Sequence, residues 1–419
     1  MKSLRWMGTL VILAPALVVG AEEWPQWRGP ARSGRASDVV LPEVWPESPP
    51  EAAWKTDVGD GYSSPVISAG RLFVMGRTAG EIETCYALDA ATGKQIWAHS
   101  YPARYTPADP SAGRGPKSTP TVDGDRVYFY GVRGDLNCLN TRDGSVKWQH
   151  DCQARFWGVE RDSSGDDAWS TCCGASASPL VHGDLLVLPV GGKRAGAVTA
   201  FNKFDGTIVW KSLEDRSSYA SPVAAQFDRQ PQIVAFTGLR MVGVNPVNGK
   251  LLWDYPFPAQ FEQTMVTPVV WRDLVIIGGE KKPIVGLRIQ PDGEQATSEI
   301  AWSNKDLKCY YSTPVVIGDH LYGQMPQRGQ LVCLRLTDGK TAWIEPGFGA
   351  YASLVSAGKF LLVLTNDGEL HVIEASPEKF VRQAIWKVSE AGGTISHLAI
   401  AGRRLYIKDK QQVVCFDLR

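Results

Sequence analysis

The arrangement of apolar and polar positions predicts short strands along most of the chain. Short apolar runs alternate with turns rich in Gly, Asp and Asn. Five segments align without gaps, each running from a small residue through a Gly turn to a Trp: ALDAATGKQIW (87–97), CLNTRDGSVKW (138–148), AFNKFDGTIVW (200–210), GVNPVNGKLLW (243–253) and CLRLTDGKTAW (333–343). The Asp-Gly and Asn-Gly pairs suit tight hairpin turns in which both central residues adopt positive φ. The pattern therefore predicts hairpins, each with a Trp in its second strand.

A second sequence motif, centred on a Pro and here called the Pro motif, recurs between the tryptophans. Its clear copies are SSPVI (63–67), STPTV (118–122), SASPL (176–180), YASPV (219–223), MVTPV (265–269) and YSTPV (311–315). Weaker copies lie at 352–356 and 396–400. A turn and another strand follow, so every unit comprises a Pro strand, an aliphatic strand, a small-residue strand and a Trp strand. Four antiparallel strands in about 40–50 residues are typical of a propeller blade.

Eight such units can be counted, and each has a repeat tryptophan. These are Trp54, Trp97, Trp148, Trp210, Trp253, Trp302, Trp343 and Trp386. We therefore expect an all-β fold, an eight-bladed β-propeller of four-stranded antiparallel blades, formed by residues 22–419 as a single domain. The last unit ends after its third strand at 413–419, whereas a spare Trp strand lies at 52–59. We expect this N-terminal strand to complete the last blade and close the ring.

Composition agrees with this fold and excludes one class of function. The 42 Gly and 27 Pro residues, in a chain with 44% hydrophobic residues, indicate a folded protein with many turns between short strands. The 44 Lys and Arg residues balance 44 Asp and Glu residues, which argues against nucleic-acid binding. The sequence contains no C-x-x-C-H haem motif, H-E-x-x-H zinc motif or phosphate-binding Gly loop. We therefore predict no metal site and assign no catalytic residue.

Residues 1–21 have the features of a cleavable signal peptide. Lys2 and Arg5 precede an apolar run at 7–19, and small residues up to Ala21 suit cleavage before Glu22. The run is shorter than the roughly 20 residues that span a bilayer, and no later run is long enough. No Cys lies at the cleavage site to accept a lipid. We predict an exported, periplasmic or extracellular protein without a transmembrane segment, and we expect a monomer.

Because the four strands of a blade alternate in direction, the Trp-to-Pro connections and the middle hairpins of all blades lie on the same face of the propeller. We call this face the insertion face. Two of these connections contain insertions, at residues 99–117 and 150–175. Long loops on a repeat scaffold often carry function. Tyr62, Tyr219 and Tyr311 each precede a repeat Pro by three positions. They either line the mouth of the propeller on this face or pack within the repeats.

The middle hairpins of the insertion face are basic in seven of the eight units, while turns of the opposite face carry Asp. The basic residues are Arg77, Arg133, Lys193, Arg194, Arg240, Lys281, Lys282, Arg328, Lys408 and Lys410. Together with Trp169 of the longer insertion, they are candidates for a surface that attracts an anionic ligand or a protein partner. Solvated turns carry charges in any case, so both interpretations stay open.

The eight cysteines fall into two groups: three lie in the small-residue column of the repeat, and five lie outside it, namely Cys85, Cys152, Cys172, Cys173 and Cys309. Cys138, Cys333 and Cys415 occupy the small-residue column of the repeat, which favours a buried apolar role. Cys152 begins the longer insertion, and Cys172 and Cys173 lie near its end. In an oxidising compartment, Cys152 paired with either of the other two would form a disulfide that closes the loop. The sequence does not fix the connectivity.

The repeat pattern A-x-D-x-x-T-G-K-x-x-W resembles that of eight-bladed quinoprotein-type propellers. That superfamily contains the PQQ-dependent alcohol dehydrogenases and the BamB-like outer-membrane assembly factors. The segment WPQWRGPARSG (24–34) is similar to the N-terminus of exported bacterial PQQ-like repeat proteins. The resemblance covers roughly residues 24–419 and is specific for the fold, because the repeat residues build blades rather than sites.

Two functions follow from this resemblance. The first is a non-catalytic, BamB-like binding or scaffold module without a cofactor, which holds a protein partner or an anionic ligand. The alternative is a PQQ-dependent alcohol dehydrogenase, which implies PQQ and calcium on the propeller axis. Cys172 and Cys173 resemble the vicinal disulfide of those enzymes, and Trp169, Asp166 and Asp167 lie nearby. The residues that follow the Cys pair differ from the dehydrogenase pattern, so we favour the first function.

Overall fold

The computed structural model describes residues 23–36, 39–106, 113–152, 155, 173–191, 196–258, 264–390 and 396–418. Within these ranges the chain forms eight blades of four antiparallel strands, with a 3₁₀ turn at Pro326–Arg328. The first strands of neighbouring blades lie side by side around a central channel. The expected eight-bladed β-propeller is confirmed. No helix in the described part of the chain is long and apolar enough to cross a membrane.

Within each blade the strands are given in order from the channel to the outer edge. In blades 1 to 4 they are β3 (Val66–Ser68), β4 (Arg71–Thr78), β5 (Ile82–Asp89) and β6 (Gln95–Pro102); β7 (Thr121–Asp123), β8 (Arg126–Tyr130), β9 (Asp135–Asn140) and β10 (Val146–Asp151); β11 (Leu180–His182), β12 (Leu185–Leu188), β13 (Val198–Asn202) and β14 (Ile208–Ser212); β15 (Val223–Phe227), β16 (Gln230–Phe236), β17 (Arg240–Val244) and β18 (Leu251–Pro256). In blades 5 to 8 they are β19 (Val269–Trp271), β20 (Leu274–Gly279), β21 (Lys282–Asp292) and β22 (Gln295–Asn304); β23 (Val315–Ile317), β24 (His320–Met325), β25 (Gln330–Arg335) and β26 (Thr341–Pro346); β27 (Ala352–Ala357), β28 (Phe360–Thr365), β29 (Glu369–Glu374) and β30 (Val381–Lys387); β31 (Ala399–Ala401), β32 (Arg404–Lys408), β33 (Gln412–Asp417) and β2 (Ala52–Asp57).

The N-terminal strand β2 closes the ring, as the sequence predicts. It pairs antiparallel with β33 and forms the outer strand of blade 8, with Trp54 opposite Cys415. The last blade therefore combines strands from both ends of the described chain. This pairing covers the edge that β33 would otherwise expose.

Each repeat Trp lies opposite a residue of the third strand of its own blade and, in most blades, is bonded to the next blade. Trp97 is paired with Ala87, and its Nε1 donates to the carbonyl O of Thr141 in blade 2 at 3.0 Å. The equivalent bonds run from Trp54 to Ala90, Trp148 to Lys203, Trp210 to Pro246, Trp343 to Ser376 and Trp386 to Pro46. Cys138, Cys333 and Cys415 are fully buried opposite tryptophans.

The Gly turns before the tryptophans are wider than the sequence analysis predicts. Only the Gly adopts positive φ, 72° at Gly144 and 73° at Gly206. In blade 1, Asp89 donates to Lys94 and accepts from Gly93, so the turn encloses residues 90–93. Positive φ at both central residues is therefore wrong for these turns. The wider turn places its Gly against the repeat Trp of the preceding blade, where a side chain would clash with the indole ring.

Hydroxyl groups before the repeat Pro residues join the inner strands into what we call the hydroxyl belt. The N–H of Ser64 donates to Thr119 Oγ1 of blade 2 at 3.1 Å. Equivalent bonds link Thr119 to Ser178, Ser178 to Ser221, Thr267 to Thr313, and His397 to Ser64. A Ser or Thr at this position thus links blades 1 to 4 in series, blade 5 to blade 6, and blade 8 to blade 1, which gives a reason for the recurrence of the Pro motif.

Residues 23–36, here called the axial plug, fill the channel. Trp24 pairs with Ile67 near the first hairpin of blade 1, and β1 (Arg35–Ala36) runs parallel to β27 of blade 7. Both ends of the plug therefore lie towards the face opposite the insertion face, and the chain turns within the channel. The sequence analysis did not predict this placement.

Candidate functional site

Three of the predicted basic residues are buried and bind backbone carbonyls rather than facing solvent. Arg77 donates to the carbonyl O of Ala103 at 2.8 Å and of Arg114 at 3.0 Å, the two sides of the connection between blades 1 and 2. Arg133 donates to Arg104 O at 2.7 Å. Lys408 is fully buried, and its Nζ donates to Gly61 O at 2.7 Å. Burial lowers the pKa of Lys408 to about 8. These side chains hold loops of the insertion face in place.

Of the other described basic candidates, Arg240 is paired with carboxylates, whereas Lys281 and Arg328 are exposed. Arg240 is bonded to Asp215 at 2.8 Å and to Asp254 at 2.7 Å. Lys281 and Arg328 are exposed, and Lys281 lies 4.0 Å from Glu280. Lys193, Arg194 and Trp169 lie outside the described residues, as do residues 1–22 with the predicted signal peptide.

Some Asp residues in the turns of the opposite face are paired with basic residues. Asp123 pairs with Lys203 at 2.8 Å, and Asp273 pairs with Arg288 at 2.9 Å. These two pairs offset part of the acidic charge of this face, and such exposed pairs contribute little to stability.

Tyrosines gather at the mouth of the channel on the insertion face. The rings of Tyr310 and Tyr311 lie 4.0 Å apart between centroids, and Tyr311 contacts Tyr351 of the next blade at 6.3 Å. On the blade 1 side of the same face, burial and then the neighbouring Asp60 raise the pKa of Tyr62. Tyr311 is 46% exposed and Tyr351 is buried. We call this group, with Tyr62, the tyrosine mouth.

Lys117 supports one side of the tyrosine mouth. Its Nζ lies 5.9 Å from the ring centroid of Tyr62 and 5.4 Å from that of Tyr105, and it donates to Gly113 O at 3.1 Å. Burial lowers the pKa of Lys117 to about 8. A cation held against two aromatic rings and a carbonyl orders this part of the loop. Sequence reasoning missed Lys117 because it lies in an irregular connection.

Tyr219, the third predicted tyrosine, has a packing role. It is buried, and its hydroxyl accepts a hydrogen bond from the N–H of Cys173 at 3.0 Å. The bond joins the end of the longer insertion to blade 4. Cys152 and Cys173 are both buried, and burial raises the pKa of the Cys152 thiol. Cys152 is a free thiol, so the predicted Cys152–Cys173 disulfide is not formed; Cys172, the other predicted partner, lies outside the described residues.

The axial plug forms the floor beneath the tyrosine mouth. Trp27 packs edge-on against His397 at 4.5 Å, and its Nε1 donates to Thr267 Oγ1 at 2.9 Å. Arg28 donates to Pro314 O at 2.7 Å, and Arg32 donates to Ser178 O at 2.8 Å. Sequence reasoning assigned these residues no role. The sequence did contain a signal for such a role: residues 24–34 include two Trp and two Arg, and this segment matches none of the repeat units.

The channel floor does not fit PQQ with calcium. Calcium requires several oxygen ligands, most often carboxylates. The described side chains at the floor are instead an indole, an imidazole and two guanidinium groups, from Trp27, His397, Arg28 and Arg32. Within the described ranges, no three His, Cys, Asp or Glu side chains are grouped so as to hold a metal ion.

Comparison with known proteins places this propeller in a family. The sequence profile described as "Outer membrane protein assembly factor BamB" matches residues 44–162 and 83–345, which together span more than half of the chain. The chain belongs to this family. BamB of Yersinia pestis is 23% identical over 426 aligned positions, covering 96% of this chain and 98% of that protein.

Solved structures of similar proteins agree with the fold. BamB from Moraxella catarrhalis has a TM-score of 0.58 at 15% identity, covering 87% of this chain and 98% of its own. The computationally designed Ika8 protein has a TM-score of 0.60 at 10% identity, covering 88% and 99%. At such low identity the likeness concerns the blade architecture alone.

Proposed function

We propose that this protein is an exported, non-catalytic binding module that holds a protein partner on its insertion face. The observation that carries the proposal is the tyrosine mouth above a filled channel. The relatives are named outer membrane protein assembly factors. We therefore propose a partner that takes part in outer-membrane protein assembly, and a periplasmic location after cleavage of residues 1–21. Residues 22–419 would act as one monomeric domain.

The chemistry of the insertion face favours a protein partner over a dissolved anion. Arg77, Arg133 and Lys408 are buried, so they do not form the exposed cationic ring that an anion would meet. Tyr311 presents a large, partly exposed ring beside Tyr310. Tyrosines of this kind are enriched among the residues that contribute most to protein–protein affinity.

Substitution of Tyr311 tests the proposed surface. A photo-crosslinking amino acid at position 311, in cells that produce the protein, should capture an envelope protein. With that protein purified, Tyr311→Ala should weaken binding at least about tenfold, because a Tyr that is a hot spot of an interface contributes about 2 kcal/mol or more. Titration calorimetry measures the change.

Phe204 provides a matched control on the opposite face. It lies in the Gly turn of blade 3 and is 48% exposed, against 46% for Tyr311. Phe204→Ala should leave the affinity unchanged, and a crosslinker at position 204 should not capture the same protein. Equal capture from both positions, or none from position 311, would remove the insertion face as the binding surface.

The non-catalytic assignment has its own test. Purified protein is incubated with PQQ and calcium, and dye-linked alcohol oxidation and bound quinone absorbance are measured. We expect neither, since the channel floor offers two guanidinium groups where calcium ligands would be needed. Turnover with bound quinone would establish the dehydrogenase alternative instead.

A further inference from the structure

We infer that the channel floor is a binding site for a small anion, held at the guanidinium group of Arg28 in the axial plug. The ligand class is chloride or a small oxyanion or carboxylate. The inference is independent of the proposed partner, because it concerns the interior of the propeller rather than the insertion face.

Arg28 has hydrogen-bond donors that the protein leaves without acceptors. Its Nη2 donates to Ser33 O at 2.9 Å and to Pro314 O at 2.7 Å. Its Nε and Nη1 are buried and have no partner among the described residues. The residue is 1% exposed. A buried N–H without an acceptor costs about 1–3 kcal/mol, and more when the group is charged.

No carboxylate of the described chain compensates the charge of Arg28. The groups that interact favourably with it are Tyr351 and Cys309, both normally neutral, and burial lowers its pKa to about 9. At neutral pH the guanidinium is therefore still charged. Burying a charge without a counter-charge is strongly unfavourable, and an anion removes the penalty by supplying both charge and acceptors.

Two other residues of the channel floor, Arg32 and His397, also have buried polar atoms without hydrogen-bond partners among the described residues. Arg32 is also buried, its Nε has no partner among the described residues, and burial lowers its pKa to about 9 with no acidic neighbour contributing. Both ring nitrogens of His397 are buried without partners within the described chain. Burial and then the charge of Arg28 keep the pKa of His397 well below its usual range, so this imidazole is neutral and offers one N–H donor and one acceptor nitrogen. The floor therefore presents an excess of donors.

The backbone of the axial plug is strained at the same positions. Arg28 and Arg32 adopt φ of 60° and 54°, in the left-handed region that side-chain-bearing residues seldom occupy. Such strain persists where the surrounding structure holds it and is concentrated at ligand sites. The guanidinium groups of these two residues donate to carbonyls of blades 6 and 3.

The test measures anion-dependent stability of the mature chain and of two Arg variants. Melting temperatures are recorded at pH 7 and constant ionic strength in sodium gluconate, whose large organic anion serves as the reference, while chloride, bromide, phosphate or acetate replaces it. Wild type should show a saturable rise of about 2–4 °C with at least one anion. Arg28→Met should lose this rise. Arg229→Met should keep it, because Arg229 is exposed in a turn of blade 4.

The anion series also identifies the ligand. A response to chloride and bromide assigns a halide, and a response to phosphate or acetate alone assigns an oxyanion or a carboxylate. Because phosphate stabilises folded proteins generally, the conclusion rests on the difference between the melting-temperature rise of wild type and that of Arg28→Met. An equal response in all three proteins would overturn the inference.

Diffraction from wild-type crystals keeps the inference testable if Arg28→Met does not fold. Crystals are soaked separately in bromide and in arsenate, which reports on oxyanion binding, and anomalous maps are calculated. A bromide or arsenate peak in contact with Arg28 Nε or Nη1 supports the site. Maps without such a peak at Arg28 from either soak would overturn it.

Discussion

Trp253→Ala is expected to lower the free energy of unfolding by about 3–5 kcal/mol, the usual cost of removing a buried Trp. Trp253 is 4% exposed, and its Nε1 donates to Gln232 Oε1 at 2.6 Å. Gly243 lies directly beneath the indole, where a Cβ would come within 2.1 Å of Nε1. The substitution therefore leaves a cavity and also removes the partner of a buried amide. Calorimetry or urea unfolding measures the loss.

Trp271→Ala serves as the control. Trp271 lies at the end of β19, outside the repeat column, and is only partly buried. Its loss should cost clearly less than that of Trp253. Both variants should bind the partner of the insertion face as wild type does, since neither residue lies at the tyrosine mouth. If Trp253→Ala unfolded at the same urea concentration as wild type, the repeat tryptophans would not be the main contacts that hold the blades.

Glu83→Gln is expected to stabilise the protein at pH 8 by on the order of 3 kcal/mol. Glu83 is fully buried in blade 1, where it accepts hydrogen bonds from Tyr101 OH at 2.7 Å and from Val132 N–H at 3.2 Å. Burial outweighs these bonds and raises the pKa of Glu83 from 4.5 to about 7. Gln resembles the neutral carboxyl group in shape and has no charge to bury.

The sign of the pH dependence follows from proton binding. Between pH 4.5 and about 7 the folded protein binds more protons at Glu83 than the unfolded chain does. Stability therefore falls as pH rises through this window, and the full cost is present above it. Unfolding free energies at pH 4 to 8 should converge for wild type and Glu83→Gln at the acidic end. Glu294→Gln, at a 91% exposed side chain, should follow wild type throughout. Parallel curves for wild type and Glu83→Gln would show that Glu83 is ionised at little cost.

The blade count and the ring closure could be predicted because they rest on local signals that recur. A Gly turn and a Trp mark each blade, and the missing fourth strand of the last unit matches the spare strand at 52–57. Because the same pattern occurs in several blades, it can be recognised even where individual copies are weak. The width of the Gly turns was misjudged because Asp-Gly suits more than one hairpin geometry.

The functional residues were harder to predict because their roles depend on contacts remote in sequence. A Lys or Arg near a hairpin has the same sequence signal whether it faces solvent, as Arg328 does, or turns inward to bind carbonyls, as Lys408 does. Arg28 contacts Pro314, 286 residues away, and occurs in no repeat. Neither periodicity nor composition carries information about such a single-copy contact.

The axial plug has a consequence for the order in which the protein can fold. It contacts seven blades: blade 1 through Ile67, blade 2 through Val122, blade 3 through Ser178, blade 5 through Thr267, blade 6 through Pro314, blade 7 through Ser356 and blade 8 through His397. The segment precedes every blade in the chain, yet its binding surface exists only once blade 8 has formed. Contacts that span so much of the sequence slow folding. The earliest segment of the propeller can therefore complete its contacts only after these seven blades have formed.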